Sequence, residues 1–197
     1  MGASNRLRYP VGVVAETGGS LLSLFWTPIV AVGCSGGGRA NAQISVSTFG
    51  AGTVPERPRI LSVLYKGNFT HEMVLAKGDF SISVLSDEQT ALIPALGFES
   101  GRERDKLQGL DFELTKRGNP VFRDSLGWLE CDVIESFDFG DATAFLSAVV
   151  EMRRQREGAP MSWSEIAPLL PPEWLETWRA KQARDADLYR TLMHWLE

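Results

Sequence analysis

Short polar side chains recur at every second position of one segment, at Asn41, Gln43, Ser45 and Ser47. Successive side chains of a β-strand point to opposite faces, so these residues would share one face and present a row of hydrogen-bond donors and acceptors. A flat polar heterocycle could lie along that face, and Thr48 and Phe49 would extend it to the end of the strand. The alternative is an ordinary solvent-facing sheet surface.

A second candidate site lies at residues 66–72, between a predicted strand and a predicted helix. Asn68 or Thr70 can cap that helix, and the free N–H groups at a helix start favour an anion. Lys66 adds a positive charge nearby, so the segment is a candidate phosphate cradle. The alternative is a capped helix with a solvated lysine. His71 could also contact the phosphate, although a histidine at a helix start is more often a surface residue.

The other reactive side chains show no pattern typical of a hydrolase or a metal site. The serines have no His and Asp companions at a readable spacing, and His194 looks incidental. With two histidines and two cysteines in the chain, Cys34 and Cys131, neither a zinc site nor a disulfide framework is expected. Four acidic residues are interpreted as part of an exposed strand: Asp132, Glu135, Asp138 and Asp141.

The elements that would position these residues are short. Alternating or β-branched runs predict six strands, at residues 29–34, 40–49, 59–65, 79–85, 126–139 and 142–152. Short helices are expected at 69–77, 87–96 and 102–107, and a longer one at 173–196. The apolar face of the long helix comprises Trp174, Trp178, Leu188, Leu192 and Trp195. This pattern predicts a small α+β barrel followed by a helical tail.

Composition limits the classes of function. The chain of 197 residues is long enough for one domain with an appendage, and its net charge of -5 argues against nucleic acid as the main partner. The two basic groups are interpreted as solvated faces; they are Arg102, Arg104 and Lys106, and Arg153, Arg154 and Arg156. The apolar run at residues 21–32 is too short to span a bilayer, so no membrane partner is expected. Two cysteines in apolar stretches fit a reducing cytoplasm.

Eight segments follow the order and spacing of a known family: residues 38–42, 45–48, 55–58, 66–72, 77–84, 100–102, 105–107 and 128–131. Together they resemble the flavin reductase-like, FMN-binding split-barrel family, over residues 28 to 150. Many relatives have different side chains where this chain has Gln43, Ile44, Ser47 and Asn68. Backbone contacts at those positions are therefore more secure expectations than side-chain contacts.

The resemblance implies a fold, a cofactor and an assembly. The fold would be a mainly β, six-stranded antiparallel split β-barrel that pairs as a homodimer and binds FMN, or FAD, near the subunit interface. We assign the barrel to residues 1–158 and a helical extension, packed on the barrel or the partner, to residues 159–197. By the resemblance, Asn41 to Thr48 would line the flavin ring and ribityl chain. Lys66, Asn68 and Thr70 would hold the phosphate.

The implied activity is that of an NAD(P)H-dependent flavin reductase, in which a nicotinamide passes a hydride to the flavin N5. No catalytic side chain is expected, and backbone N–H groups near Ser47 and Phe49 are candidates for stabilising the reduced flavin. Two alternatives remain. One is an FMN-binding electron-transfer protein without NAD(P)H activity of its own, and the other is a barrel that has lost the flavin.

Overall fold

The computed structural model describes residues 21–193, which form a mainly β fold with a few helices. The strands are β1 (Val30–Gly36), β2 (Arg39–Ser45), β3 (Thr48–Gly50), β4 (Arg59–Tyr65), β5 (Asp79–Val84), β6 (Phe112–Leu114), β7 (Pro120–Phe122), β8 (Gly127–Asp138) and β9 (Ala142–Arg154). The helices are α1 (Phe69–Lys77), α2 (Leu92–Gly97), α3 (Trp163–Ile166) and α4 (Pro172–Leu192). Single 3-10 turns span Leu21–Phe25, Asp87–Gln89 and Ala167–Leu169.

Seven strands form one curled antiparallel sheet in the order β2-β1-β5-β8-β9-β4-β3. The two strands at its ends, β2 and β3, follow each other directly along the chain. The link between them is held from both sides, since Thr27 N–H donates to Val46 O and Val63 N–H donates to Ser47 O, each over 2.9 Å. This connection between the two ends of the strand order gives the sheet the half-barrel form that the split-barrel prediction describes.

The predicted number of six strands is wrong for this sheet, because the single strand expected at 40–49 is two strands. The chain leaves its pairing with β1 after Ser45, which is opposite Val30. It joins β4 at Thr48, which is opposite Ser62. A run of alternating side chains shows that a segment is extended but not which strand it pairs with, so this change of partner has no local signal.

Among the other predicted strands and helices, some are confirmed and one is wrong. The strand at 59–65, the helix at 69–77 and the long hairpin that turns at 138–141 are confirmed. The helix at 102–107 is wrong, since that segment forms turns in which the Asp105 carboxylate accepts from Leu107 N–H at 3.0 Å. Such a side-chain bond competes with helical hydrogen bonding. The short pair β6 and β7 was not predicted.

The sheet separates two clusters of buried side chains. Alternate residues of β1 point to the two sides, with Ala31 in one cluster and Val32 in the other. Phe80 and Phe145 are fully buried, and burying such a side chain contributes about 1.5–3 kcal/mol. Burial also raises the pKa of both free thiols, Cys34 and Cys131, to about 12, consistent with their predicted role as core residues.

The helical tail packs through aromatic side chains. Trp163 lies 4.8 Å from Trp178, and Trp26 contacts both rings. Helix α4 has no fully buried residue, and Trp195 of its predicted apolar face is outside the described residues, as is His194. No helix within residues 21–193 is long and apolar enough to cross a membrane. The boundary at residue 158 stays a prediction.

Candidate functional site

The polar residues of β2 are buried. Asn41, Gln43 and Ser45 are 3%, 6% and 7% exposed, so the alternative of a solvent-facing sheet surface is wrong for these three residues. Ser47 is half-buried, and its N–H donates to Ser45 Oγ at 3.2 Å. Burying a polar group costs free energy of folding unless the group is hydrogen-bonded. These buried side chains are therefore expected to have polar partners.

One such partner is on α1. Asn41 Nδ2 donates to Thr70 Oγ1 over 2.7 Å, and both side chains are buried. Asn41 also lies against Gly101, where an added Cβ would be only 2.2 Å from Asn41 Oδ1. Strand β2, the first turn of α1 and the loop at 100–102 therefore meet at one point. Gly101 is needed there because no side chain fits.

Two buried polar atoms on β2 and α1 have no hydrogen-bond partner in the described part of the protein. They are Gln43 Oε1 on β2 and His71 Nδ1 in the first turn of α1. An unpaired buried polar atom costs about 1–3 kcal/mol. Both belong to residues predicted to bind the cofactor.

Helix α1 begins without the predicted side-chain cap. Asn68 occupies the N-cap position but makes no capping hydrogen bond through its side chain. Thr70 does not cap either, because its hydroxyl is buried against Asn41. The His71 N–H donates to Asn68 O at 3.1 Å, but the N–H groups before it have no partner within the helix and could meet an anion. We call residues 66–70 the α1 cradle.

Lys66 and His71 have defined partners. Lys66 Nζ forms a 2.7 Å ion pair with Asp138, the residue that precedes the β8–β9 turn. His71 is 4% exposed and its Nε2 lies 2.8 Å from Thr143 Oγ1, so the alternative of a surface histidine is wrong. Burial, and then the positive charge of Lys66, lower the pKa of His71, which favours the neutral ring.

Two arginines beside the cradle were missed by the sequence analysis as site residues. Arg39 and Arg102 place their guanidinium carbons 5.4 and 5.6 Å from the centre of the Phe69 ring. Arg39 donates to Gly101 O at 2.7 Å, and Arg102 donates to Gly67 O at 2.8 Å and pairs with Glu72. A signal was available, because both arginines lie in segments that carry the family resemblance.

The solvated-face interpretation of the two basic groups holds only in part. Arg104 and Arg153 are exposed, but Lys106 is buried and donates to Leu96 O at 2.5 Å. Burial, with the nearby charge of Lys181, lowers the pKa of Lys106 to about 7.

The remaining predicted residues lie on β3, at the other end of the sheet order. Thr48 N–H donates to Thr27 Oγ1 at 3.2 Å, and Thr48 Oγ1 lies 3.2 Å from Ser62 Oγ. Phe49 is 39% exposed. The contacts described above therefore join Asn41 and Thr70 directly, with Gln43 and His71 beside them, whereas Thr48 and Phe49 contact other elements.

The acidic residues of the long hairpin do not converge. Asp132 pairs with Arg117, and Asp138 pairs with Lys66. Within residues 21–193, no group of three or more His, Cys, Asp or Glu side chains could hold a metal ion.

Comparison with known families decides the assignment. Residues 22–169 match the family model described as "Flavin reductase like domain", which is well over half of the chain. The chain belongs to the flavin reductase-like family. The matched region contains both β2 and α1, and it extends past the barrel strands to the 3-10 turn after α3.

Individual relatives agree with this assignment. A high molecular weight rubredoxin of Moorella thermoacetica is 35% identical over 130 residues, which are 65% of this chain and 56% of the relative. A ferric-chelate reductase (NAD(P)H) of Archaeoglobus fulgidus is 28% identical over 130 residues, 65% of this chain and 76% of the relative. This flavin reductase-like chain spans about half the length of some curated relatives that it matches.

A solved structure shares the fold. The FMN-binding protein of Thermus thermophilus, determined with bound 1-cyclohex-2-enone, superimposes with a TM-score of 0.64 at 25% identity. The match covers 79% of this chain and 84% of the Thermus protein.

Proposed function

We propose that this protein binds FMN between β2 and the α1 cradle and acts as an NAD(P)H-dependent flavin reductase. The observation that carries the proposal is the buried Asn41–Thr70 hydrogen bond, which joins the polar strand to the start of α1. The same two elements carry Gln43 Oε1 and His71 Nδ1, which are buried without a partner among the described residues and would accept a polar ligand. Family membership supplies the oxidoreductase class.

The roles of the residues follow from their chemistry. Gln43, Ser45, Ser47 and Thr48 would offer an amide and hydroxyl groups to the polar edge of a flavin, with the partly exposed Phe49 ring further along. Lys66, Asn68, Thr70 and His71 would hold the phosphate together with the first amides of α1. Arg39 and Arg102 add two positive charges beside Phe69, so the cradle attracts a dianionic group.

When bound, FMN supplies the redox chemistry by accepting a hydride from a nicotinamide at its N5. The protein orients the two reactants and excludes water between them. Hydroxyl groups of β2 and β3 would stabilise the negative charge that the flavin ring gains on reduction. The neutral His71 ring keeps its bond to Thr143 and moves no proton in this scheme.

The names of two relatives support the choice of reactants. The Thermus thermophilus neighbour is named an FMN-binding protein, and the Archaeoglobus fulgidus relative is named a ferric-chelate reductase (NAD(P)H). The rubredoxin relative favours a second candidate, an FMN-carrying electron-transfer protein without NAD(P)H activity. This chain has only two cysteines, so it cannot form a four-thiolate metal site by itself.

We propose further that the protein forms a homodimer and is located in the cytoplasm. Large apolar side chains on the long hairpin are exposed in the single chain; they are Ile134, Phe137, Phe139, Val150 and Met152. Several exposed apolar side chains on one element are typical of a protein interface. A groove of about 450 Å³ between this hairpin and residues 54–59 adjoins these side chains. Two reduced, buried cysteines fit a reducing compartment.

The test is steady-state oxidation of NADH and NADPH by the purified protein with FMN, FAD or no added flavin. The proposal expects flavin-dependent oxidation of at least one nucleotide. Tight FMN binding with no nucleotide oxidation would favour the electron-transfer candidate, and no flavin binding would contradict both.

A further inference from the structure

The ring of Tyr189, near the end of α4, lies directly on Gly67 of the cradle. A Cβ added to Gly67 would be 2.8 Å from Tyr189 Oη and 3.0 Å from Tyr189 Cε1. The same ring stacks on Tyr65, with centroids 5.3 Å apart and planes at 28°. Gly67 lies between Lys66 and Asn68, so Tyr189 occupies the space next to the two residues predicted to hold the phosphate.

Helix α4 is anchored well before it reaches Tyr189. Trp178 packs on Trp163 and Trp26, and Trp174 packs edge-on against Phe98 at 6.5 Å. The helix spans Pro172–Leu192, so Tyr189 is three turns beyond Trp178 on a rigid element. The position of the Tyr189 ring is therefore set by the aromatic cluster at the start of the helix as well as by its own contact with Gly67.

The other sides of Gly67 are also occupied. Arg102 donates to Gly67 O, and Lys66 is held by Asp138. The first turn of α1 also carries His71, whose buried Nδ1 has no hydrogen-bond partner among the described residues. With its phosphate at the cradle, a ligand that continued past Gly67 towards α4 would meet the Tyr189 ring.

We propose that Tyr189 closes the phosphate end of the site and selects FMN against FAD. The proposal rests on the proposed function. FMN ends at its phosphate, whereas FAD continues from the same phosphate into a second phosphate and an adenosine. That continuation needs an exit beside Gly67, and Tyr189 fills it. Selection of this kind works by excluding the larger ligand rather than by strengthening contacts to the smaller one.

The test is a set of flavin titrations followed by quenching of flavin fluorescence, which needs no turnover. We expect the unaltered protein to bind FMN about tenfold or more tightly than FAD, a preference that one blocked exit can supply. Tyr189→Ala should bring the two dissociation constants within about threefold of each other, mainly through tighter FAD binding. Tyr189→Phe keeps the ring and should keep the preference. Leu188→Ala, at the exposed neighbouring position, is the matched control and should change neither constant.

Gly67→Ala provides a second, independent variant. Gly67 is outside the left-handed region of backbone conformation, so alanine is allowed there except for the clash with Tyr189. The variant should displace the ring and relax the preference in the same direction as Tyr189→Ala. In a Tyr189→Ala background it should add nothing. Thermal melts of each variant show that it is folded.

The titrations distinguish a failure of the Tyr189 proposal from a failure of the proposed flavin function. Equal FMN and FAD affinities in the unaltered protein, or an unchanged preference in folded Tyr189→Ala, would overturn the role of Tyr189 while leaving the flavin function intact. Binding of neither flavin by the unaltered protein would overturn the proposed function, and this inference with it.

Discussion

Asn41 Nδ2 donates a hydrogen bond to Thr70 Oγ1 over 2.7 Å, and this bond links β2 to the first turn of α1. The two residues are 29 positions apart in the sequence. Each belongs to one of the two segments that the sequence alone marks as a candidate binding site. Their contact brings the two predicted segments together, with a polar strand on one side and the start of a helix on the other.

Replacing Thr70 by valine keeps the shape of the side chain but removes the acceptor for Asn41. A buried amide group left without a partner costs about 1–3 kcal/mol, so the free energy of unfolding should fall by that amount. FMN affinity should fall as well, because Asn41 loses its orientation. Urea denaturation and flavin titration measure the two effects. Thr177→Val removes an exposed hydroxyl on α4 and should change stability by less than about 0.5 kcal/mol. Equal small effects in both variants would contradict the buried role of Thr70.

Arg102 and Arg104 form a matched pair for testing the cradle. Both are partly exposed and ion-paired, Arg102 with Glu72 and Arg104 with Glu99, but only Arg102 also bonds Gly67. Arg102→Ala should weaken FMN binding by about 1–3 kcal/mol, as the loss of a charged hydrogen-bond donor usually does. Arg104→Ala should leave it unchanged. The dependence of FMN affinity on salt should become shallower only in Arg102→Ala. Similar losses in the two variants would point to a general effect of charge and not to the cradle.

The buried ring of His71 makes stability depend on pH. Burial lowers its pKa in the folded protein below the ordinary value near 6.5. Below the ordinary pKa of about 6.5, His71 binds a proton in the unfolded chain but not in the folded protein. The free energy of unfolding therefore falls as pH decreases through about 6.5. His71→Gln should show a shallower decrease between about pH 7 and 5, measured by urea denaturation at each pH. Other acidic groups titrate in both proteins, so the difference between the two curves isolates His71. Parallel curves would contradict a buried neutral histidine.

Gly33 and Gly36 on β1 test the packing that supports the site. A Cβ on Gly33 would lie 2.3 Å from Pro120 O, whereas one on Gly36 would meet nothing within 4 Å. Gly33→Ala should therefore destabilise the protein by about 1–3 kcal/mol or more, since Pro120 O belongs to the backbone of β7 and cannot move aside cheaply. Gly36→Ala should change stability by less than about 0.5 kcal/mol. Comparable melting temperatures for the two variants would contradict close packing of β7 against Gly33 of β1.

The sequence predicted those features that depend on neighbouring residues. Strand β4 and helix α1 were located correctly, because side-chain alternation and the Gly78 helix stop are local signals. The change of partner at Val46 and Ser47 was not, because it is decided by strands β1 and β4, which lie elsewhere in the sequence.

The contacts of the candidate site divide in the same way between local and long-range signals. Asn41 and Thr70 could be named from local polarity and helix-start chemistry. Burial of Lys106, the convergence of Arg39 with Arg102 at Phe69, and the Tyr189 contact with Gly67 all depend on long-range folding. A charged residue in a polar segment looks solvated until the elements that cover it are known.

The most direct test of the account is an anaerobic absorption spectrum of the purified protein with one equivalent of FMN, before and after NADH or NADPH is added. If the protein is an NAD(P)H-dependent flavin reductase, we expect a shifted, protein-bound flavin spectrum. Its long-wavelength band should bleach with at least one of the two nucleotides. A bound spectrum that persists with both nucleotides would contradict the reductase activity. An FMN spectrum identical to that of the free cofactor would contradict the flavin site itself.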